Sequence, residues 1–338
     1  MTTNAVKSFL EELRVGEPVK SRNLTVVPLL GGLDEKPQYE TLDEALAAGT
    51  FTVTEVSAAG SVPELAVRNS GYASVLLLDG EELVGAKQNR ILNLTILVAA
   101  GEKMAIPVSC VEQGRWRSTS AKFTGGHYSP AKLRRNKERS VRESFKATGR
   151  PASDQARVWE DVQEALYCSA TRSPTHAMSD AYAERKADLR KMAEEIRLPE
   201  DACGMAAFVT AELVVVDLFA FRQTFGQVKA KLLDSYVLAA LSDPAGQTDK
   251  MLPEGTLDSR KRTAEALERA AAARAESRPS VGLGTDVRLT GTDIRGAGLL
   301  HEGLVLHTSL FPDAPAGIAD DPQCPTRMAS PRRRNRKP

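Results

Sequence analysis

The chain has 338 residues, enough for two moderate domains or one large domain with a well-buried core. Hydrophobic residues make up 42% of it and charged residues 26%, as in an ordinary globular protein. The 45 basic and 44 acidic residues nearly cancel, which argues against a nucleic-acid binder, because such folds usually carry a basic excess. Any electrostatic partner is therefore expected to bind a local charged patch.

The first fourteen residues do not resemble a secretion signal. Apolar side chains recur there at helical spacing, with charges between them: Val6, Phe9, Leu10 and Leu13. A signal peptide needs a continuous apolar stretch after a basic start, and this segment has none. No uncharged run along the chain approaches the ~18–20 apolar residues of a membrane span. We therefore expect a cytoplasmic protein with no membrane segment.

Short β-branched runs separated by turn residues predict an antiparallel sandwich or open barrel in residues 24–112. The predicted strands are Leu24–Leu30, Phe51–Val56, Glu64–Arg68, Val75–Leu78, Asn89–Val98 and Met104–Val111. Asp79-Gly80 follows an apolar run and predicts a hairpin, because the central positions of such a turn favour positive φ. One helix is expected within this part, at Thr41–Ala48.

The segment from 126 to 152 is basic and separates the β-rich part from the rest of the chain. It contains only two acidic residues, Glu138 and Glu143. Its cations are Lys132, Arg134, Arg135, Lys137, Arg139, Arg142, Lys146 and Arg150. We interpret the segment as a solvated helix face, with contact to a nucleotide or polyanion as the alternative. Gly149 to Ser153 interrupts the pattern, and Ser153 is the expected N-cap of the next helix.

Helical periodicity dominates from residue 153 onward. Amphipathic stripes predict helices over Trp159–Leu166, Tyr182–Ile196, Phe221–Leu241 and Ala264–Ala275. The expected strands are Gly204–Val209, Leu213–Phe219, Asp286–Thr290 and Leu304–Leu310. The fold class predicted is α+β: an N-terminal antiparallel β-sandwich-like half packed on a helix-rich half that has additional antiparallel strands. The expected division is a β-rich domain at 1–125, a basic connecting segment at 126–152, an α+β half at 153–311 and a disordered basic tail at 312–338.

Long polar side chains crowd the segment between two predicted strands, Leu78 to Arg90. Gly85 lies just before most of them and permits a bulge or a close approach of the backbone to a ligand. The cations suit a phosphate, and the amides suit a base or sugar edge through paired donors and acceptors. An ordinary charged turn is the alternative, and the sequence leaves both open. The candidate ligand-binding residues here are Glu82, Lys87, Gln88, Asn89 and Arg90.

Cys110 and Glu112 share one face of the next predicted strand and are the candidate catalytic residues. A carboxylate can act as a general base, but it raises the pKa of a neighbouring thiol, so a nucleophilic cysteine would need a cation nearby. Arg115 and Trp116 follow as further candidate ligand contacts. A core cysteine and a structural Glu112–Arg115 ion pair are the alternatives. The four cysteines form no Cys-x-x-Cys pair, so we expect reduced thiols and no metal site.

A glycine-rich segment, Phe123-Thr124-Gly125-Gly126-His127-Tyr128, lies beside the basic segment. Its composition is typical of a surface loop. The alternative is contact with an anion through its backbone N–H groups.

The two polar segments resemble one family. The run from Leu77 to Arg90, followed by Asn93 and the run from Ile106 to Trp116, is similar to the bacterial ARG-and-rhodanese-phosphatase-associated protein domain family. Ser179–Tyr182 and Lys231–Tyr236 extend the resemblance to most of residues 20–310. The resemblance implies a role near ADP-ribose or NAD-linked metabolism, with ADP-ribosylglycohydrolase or phosphatase-type proteins as partners. It supplies no catalytic assignment.

Three functions remain open from the sequence. The first is a recognition or accessory module that binds a nucleotide-like or ADP-ribose-like ligand through residues 87–90, with Glu112 and Arg115 as a second wall. The second is a hydrolase acting on a ribosyl or phosphoryl adduct, with Glu112 as general base. The third is a scaffold that docks a partner enzyme. No particular cofactor is indicated.

Overall fold

The computed structural model describes residues 2–243 and 258–313. The predicted tail, with Cys324 in it, lies outside the described residues from 314 onward. The helices of the described part are α1 (Thr2–Glu12), α2 (Leu42–Ala47), α3 (Ala131–Thr148), α4 (Gln155–Cys168), α5 (Met178–Glu184), α6 (Lys186–Glu195), α7 (Arg222–Ser242) and α8 (Ser259–Ala271). None of these helices is long and apolar enough to cross a membrane.

Eighteen strands accompany these helices in the described part, which confirms the predicted α+β class. Those before α3 are β1 (Arg14–Val15), β2 (Val19–Ser21), β3 (Leu24–Leu30), β4 (Tyr39–Thr41), β5 (Phe51–Glu55), β6 (Glu64–Asn69), β7 (Ser74–Leu77), β8 (Glu81–Gly85), β9 (Arg90–Leu92), β10 (Ile96–Val98), β11 (Lys103–Cys110) and β12 (Phe123–Tyr128). Those after α6 are β13 (Ala202–Val209), β14 (Glu212–Phe219), β15 (Arg274–Pro279), β16 (Thr285–Gly291), β17 (Ile294–His301) and β18 (Leu304–Pro312).

The largest sheet has nine strands and combines both ends of the chain. Its order is β1-β3-β13-β14-β18-β17-β16-β15, and β2 also pairs with β3. All eight residues of β13 are buried, because one face of the sheet packs against α4 to α7 and the other against α1 and α8. The division of the chain at 126–152 stays a prediction, and the pairing of β3 with β13 joins strands from both sides of it.

Two smaller sheets carry the polar segments. One has the order β12-β8-β9-β11-β6-β5, and the other has the order β10-β7-β4. The hairpin predicted at Asp79-Gly80 is wrong, because β7 and β8 belong to different sheets. Gly80 has a φ of +87°, and the turn carries the chain from one sheet to the other. Its glycine is required because Ser129 Oγ lies 2.8 Å from the position that a Cβ would occupy.

The single strand predicted at Asn89–Val98 is two strands, β9 and β10, in different sheets. The buried polar residues Asn93 and Thr95 lie between them, and their side chains form hydrogen bonds with other segments. Asn93 Oδ1 accepts a hydrogen bond from Ser109 at 2.5 Å, and Thr95 Oγ1 accepts from the Asp79 N–H at 3.1 Å. Alternation of residue types cannot reveal this interruption, because it depends on partners far away in the chain.

Much of helix α3 is buried, so the predicted solvated helix face is wrong for three of its cations, whereas Arg139 and Lys146 are exposed as predicted. Arg134, Lys137 and Arg142 are all almost inaccessible to solvent. Each of them meets a carboxylate: Arg134 pairs with Asp217 of β14, Lys137 with Asp79, and Arg142 with Glu138. Buried charges are tolerated when they are paired and hydrogen-bonded, and the partners of Arg134 and Lys137 come from distant segments. The next helix also differs slightly, because Asp154 rather than Ser153 is its N-cap.

Candidate functional site

The structure brings together polar segments that lie far apart in the chain. Asn89 Nδ2 donates to Ser179 Oγ at 3.2 Å, which joins the residue before β9 to the start of α5. Thr175 Oγ1 donates to Glu112 Oε1 at 2.8 Å and joins the end of β11 to the segment before α5. Segments 81–90, 112–116 and 175–182 therefore form one polar region.

Glu112 and Arg115 form a bidentate ion pair at the centre of this region. Arg115 Nε lies 2.7 Å from Glu112 Oε1, and Arg115 Nη2 lies 2.6 Å from Oε2. The Asn89 N–H also donates to Oε2 at 3.1 Å. Burial alone raises the pKa of Glu112, but the hydrogen bonds from Arg115 and Thr175 outweigh it and hold the pKa below its ordinary value. Both oxygens are engaged, so the arrangement suits positioning better than proton transfer.

Cys110 is fully buried at the end of β11. Its backbone is held by Gln155, whose side chain accepts from the Cys110 N–H at 2.8 Å and donates to the Cys110 carbonyl at 2.9 Å. Burial raises the pKa of the Cys110 thiol to about 11, although Arg90 opposes this shift. The group is thus a neutral thiol near neutral pH, which suits core packing. The catalytic roles predicted for Cys110 and Glu112 stay predictions.

Lys87, Arg90 and Trp116 form a second part of the region, which we call the Trp116 face. Trp116 is 48% exposed. Lys87 Nζ lies 5.4 Å from the ring centroid, and the Arg90 guanidinium carbon lies 5.5 Å from it. Gly60 lies in the adjoining loop at a φ of +79°, a conformation that favours glycine, and a Cβ there would be only 3.0 Å from the Lys87 side chain and 3.2 Å from Glu55. Lys87 Nζ donates to the Ala59 carbonyl at 2.7 Å.

The Arg90 side chain is completely buried, yet it has few partners. Its Nη1 donates to the Gln88 carbonyl at 3.0 Å and to Gln88 Oε1 at 3.2 Å. Its Nε and Nη2 make no hydrogen bond to any described residue, and neither does Glu55 Oε2. Burial lowers the pKa of Arg90, while Cys110 and Glu55 oppose the shift. A buried donor without an acceptor costs about 1–3 kcal/mol, so this arrangement needs an explanation.

Glu82, the remaining predicted contact, points away from the Trp116 face. Its Oε2 accepts the His127 N–H at 3.2 Å, and its Oε1 has no hydrogen-bond partner among the described residues. Burial raises the pKa of Glu82 to about 8, although the His127 hydrogen bond opposes the shift. Gly126 is required beside it, because a Cβ would lie 2.6 Å from Glu82 Oε2. The carboxyl group is therefore mainly protonated near neutral pH.

Lys231 of α7 lies next to this carboxyl and is itself paired. Its Nζ lies 2.5 Å from Asp43 Oδ2 and 3.4 Å from Glu81 Oε1. Burial lowers the pKa of Lys231, but Glu81 and Asp43 outweigh it and raise the pKa above its ordinary value. The ammonium group thus stays charged and joins α7 to β8 and α2.

A cavity of about 820 Å³ opens beyond His127, between α6 and α7. The rings of His127 and Tyr182 stack in its wall, with centroids 4.2 Å apart and planes 5° from parallel. Sequence reasoning missed both residues as site residues. The surface loop predicted at Phe123–Tyr128 is strand β12, whose end residues are buried. The aromatic residues at the two ends, Phe123 and Tyr128, could have indicated a strand. The prediction of a loop was based on Gly125 and Gly126 between them.

No group of three or more His, Cys, Asp or Glu side chains suited to a metal ion occurs in residues 2–243 and 258–313. The fold and the site thus define an α+β protein in which segments from both halves of the chain build one polar region beside a cavity. The chain belongs to the ARG and Rhodanese-Phosphatase-superfamily-associated Protein domain family, whose model matches residues 12–311. This confirms the resemblance seen in the sequence. Neither the curated proteins nor the solved structures contain a match to the chain.

Proposed function

We propose that the protein is a ligand-recognition or accessory module whose Trp116 face binds a nucleotide-like ligand of the ADP-ribose class. One observation carries the proposal. Two buried donor nitrogens of Arg90, Nε and Nη2, have no acceptor among the described residues, and the guanidinium lies beside an exposed aromatic ring with Lys87 at the same ring. Cationic donors next to a stacking surface are the elements that recognise a base and its phosphates.

Each element of the face has a distinct part in the proposed complex. The exposed Trp116 ring stacks on the base, an interaction worth about 1–3 kcal/mol for a base on an aromatic side chain. Lys87 exchanges the Ala59 carbonyl for a phosphate oxygen, and Arg90 donates its free N–H groups to the same ligand. Trp116 lies in segment 113–122, which is largely exposed, and the proposed complex requires this segment to shift so that the ligand reaches the buried Arg90.

The family supports one part of the proposal, the role of an accessory module. Its description states an association with ARG and rhodanese-phosphatase proteins, which fits an accessory module. The ADP-ribose ligand and the docking of an ADP-ribosylglycohydrolase or phosphatase-type partner are part of the proposal.

The hydrolase alternative has less support. Glu112 would have to act as a general base, but its two oxygens are held by Arg115, Thr175 and Asn89. A general base needs a free lone pair within reach of the substrate proton. Glu112→Gln tests this role: we expect the variant to lose stability and to retain ligand binding. A catalysed hydrolysis of an ADP-ribosyl compound that disappears only in this variant would restore the hydrolase.

Isothermal titration calorimetry with ADP-ribose, NAD, AMP and ribose 5-phosphate tests the proposal. We expect ADP-ribose to bind, and Trp116→Ala to weaken the binding about tenfold or more, because a lost stacking contact of about 1.4 kcal/mol corresponds to that factor. Tyr167→Ala is the matched control, since Tyr167 is a comparably exposed aromatic side chain, at 52%, on α4. Absence of binding by all four ligands, or equal losses in the two variants, would overturn the proposal.

A further inference from the structure

The cavity between α6 and α7 has a composition unlike that of the Trp116 face. We propose that it is a second ligand site, which takes an amphipathic organic anion: an apolar body ending in one carboxylate or phosphate group. Nothing in this inference depends on the ligand proposed for the Trp116 face. The cavity of about 820 Å³ lies within the range of about 300–1,000 Å³ that is usual for small-molecule pockets.

Much of the lining of the cavity is apolar. This apolar part consists of aliphatic side chains from both helices and from the segment after α6: Leu189, Ala193, Ile196, Leu198, Ala230 and Leu233. Transfer of apolar surface from water into such a lining is favourable, at about 25 cal/mol for each Å² removed from water. An occupant must therefore offer an apolar body of matching character.

The stacked pair of His127 and Tyr182 gives this lining a fixed aromatic wall. The Tyr182 hydroxyl donates to the Tyr128 carbonyl, so the tyrosine presents its ring and not its hydroxyl group. Burial lowers the pKa of His127, and Lys231 adds to the shift, so the imidazole is neutral near pH 7. The His127 backbone is anchored in turn by Glu82. A rigid wall of this kind binds a ligand with little loss of side-chain entropy.

Charge at the cavity selects an anion. Lys186, Lys229 and Arg197 line it, and none of them forms an ion pair with a described residue. Arg190, also in the lining, is matched by Glu194 at 2.8 Å. This leaves Asp234 as the remaining acid, and burial raises its pKa. The unmatched charge is therefore positive, and it lies beside an apolar interior. That combination is complementary to a carboxylate or phosphate on an apolar chain.

Calorimetric titration of the full chain with ligands that share one apolar tail separates the two contributions. The probes are decanoate, decyl phosphate, decanol and decyltrimethylammonium. We expect at least one of the two anions to bind about tenfold more tightly than decanol, the factor for one charge-assisted contact, and the cation to bind more weakly than decanol. Decanoate and decyl phosphate together show which anionic group fits. Equal affinity for all four probes, or no binding of any, would overturn the proposal.

Variants locate the site and distinguish it from the Trp116 face. Lys186→Ala with Lys229→Ala should weaken anion binding about tenfold and leave decanol unchanged, whereas Ala193→Phe should fill the cavity and weaken both. Lys191→Ala is the matched control, because Lys191 lies on α6 but does not line the cavity. Anion binding that survives the double lysine variant overturns the proposal. The lysine substitutions lie at the surface, so they test the site even if Ala193→Phe does not fold. ADP-ribose binding should be unchanged in all of them.

Discussion

Arg134 and Arg90 are both completely buried, but their surroundings differ. Arg134 donates two hydrogen bonds to Asp217, at 2.9 and 2.6 Å, and a third to Ser309 at 2.6 Å. Arg90 donates only to Gln88. Burial lowers the pKa of both groups, but Asp217 reverses the shift for Arg134, whose pKa is raised, whereas that of Arg90 stays lowered.

The two arginines differ in what a buried cation does in this protein. Arg134 holds together α3, β14 and β18, because Asp217 and Ser309 lie on those strands. Its charge is neutralised within the protein by Asp217, and of its nitrogens only Nε makes no hydrogen bond to a described residue. Arg90 lies close to an exposed aromatic ring and keeps free donors. Buried charge by itself therefore does not mark a functional site, and the state of its partners is more informative.

The largest expected effect is on the structural member of the pair. Arg134→Met should lower the free energy of unfolding by about 3–5 kcal/mol, because it leaves the buried Asp217 carboxylate without its partner. Chemical denaturation at pH 7 measures the change. Arg14→Met is the control, since Arg14 forms an exposed ion pair with Asp201, and such pairs contribute about 0–1 kcal/mol. A loss below that of the control would show that Arg134 is not essential to the fold.

A pH-dependent effect is expected at Glu82. Its pKa is raised by burial to about 8 in the folded protein, whereas an unperturbed glutamate has a pKa of about 4.3. Between these values only the folded state holds the proton, so the free energy of unfolding falls as the pH rises through this window. A tenfold difference in proton affinity between the folded and unfolded states corresponds to about 1.4 kcal/mol.

Glu82→Gln removes this titration. Melting temperatures should therefore be higher than those of the unmodified protein at pH 9 and close to them at pH 5. Glu64→Gln, at an exposed position of β6, is the control and should shift the melting temperature little at either pH. A difference for Glu82→Gln that is the same at both pH values would contradict the assignment of a protonated carboxyl group.

The smallest effect on stability is expected at Arg90. This substitution tests most directly whether Arg90 differs in function from Arg134. Arg90→Met should change the free energy of unfolding by about 1 kcal/mol or less, because the Arg90 charge is buried without an ion pair to a described residue and donates hydrogen bonds only to Gln88. The same substitution should abolish the binding of ADP-ribose seen by calorimetry. A loss of stability as large as that of Arg134→Met would mean that both arginines are structural, and the Trp116 face would lose its support.

The candidate site was only partly visible in the sequence. Asn89, Glu112 and Arg115 were expected to lie together, and they do, in one hydrogen-bonded network. Lys87, with Arg90 and Trp116, forms the adjoining face. Glu82 instead faces His127. It pairs with Ile91 of β9, so its side chain lies on the opposite side of the sheet from that of the neighbouring Arg90. The cavity is built from helices α6 and α7, whose sequences show only ordinary amphipathic stripes, so its lining could not be predicted.

What the sequence determined by itself was local. The bounds of β3 and the hairpin of β13 and β14 follow from runs of apolar and β-branched residues, which favour the same structure in almost any context. The tertiary structure decided the rest. A run of cations such as that of α3 is solvated unless carboxylates from other parts of the chain pair with it. Asp79 lies 58 residues from its partner Lys137, and Asp217 lies 83 residues from Arg134. A sequence shows which groups carry charge, but only the fold determines which of them meet, because the free energy of a buried charge depends on its neighbours.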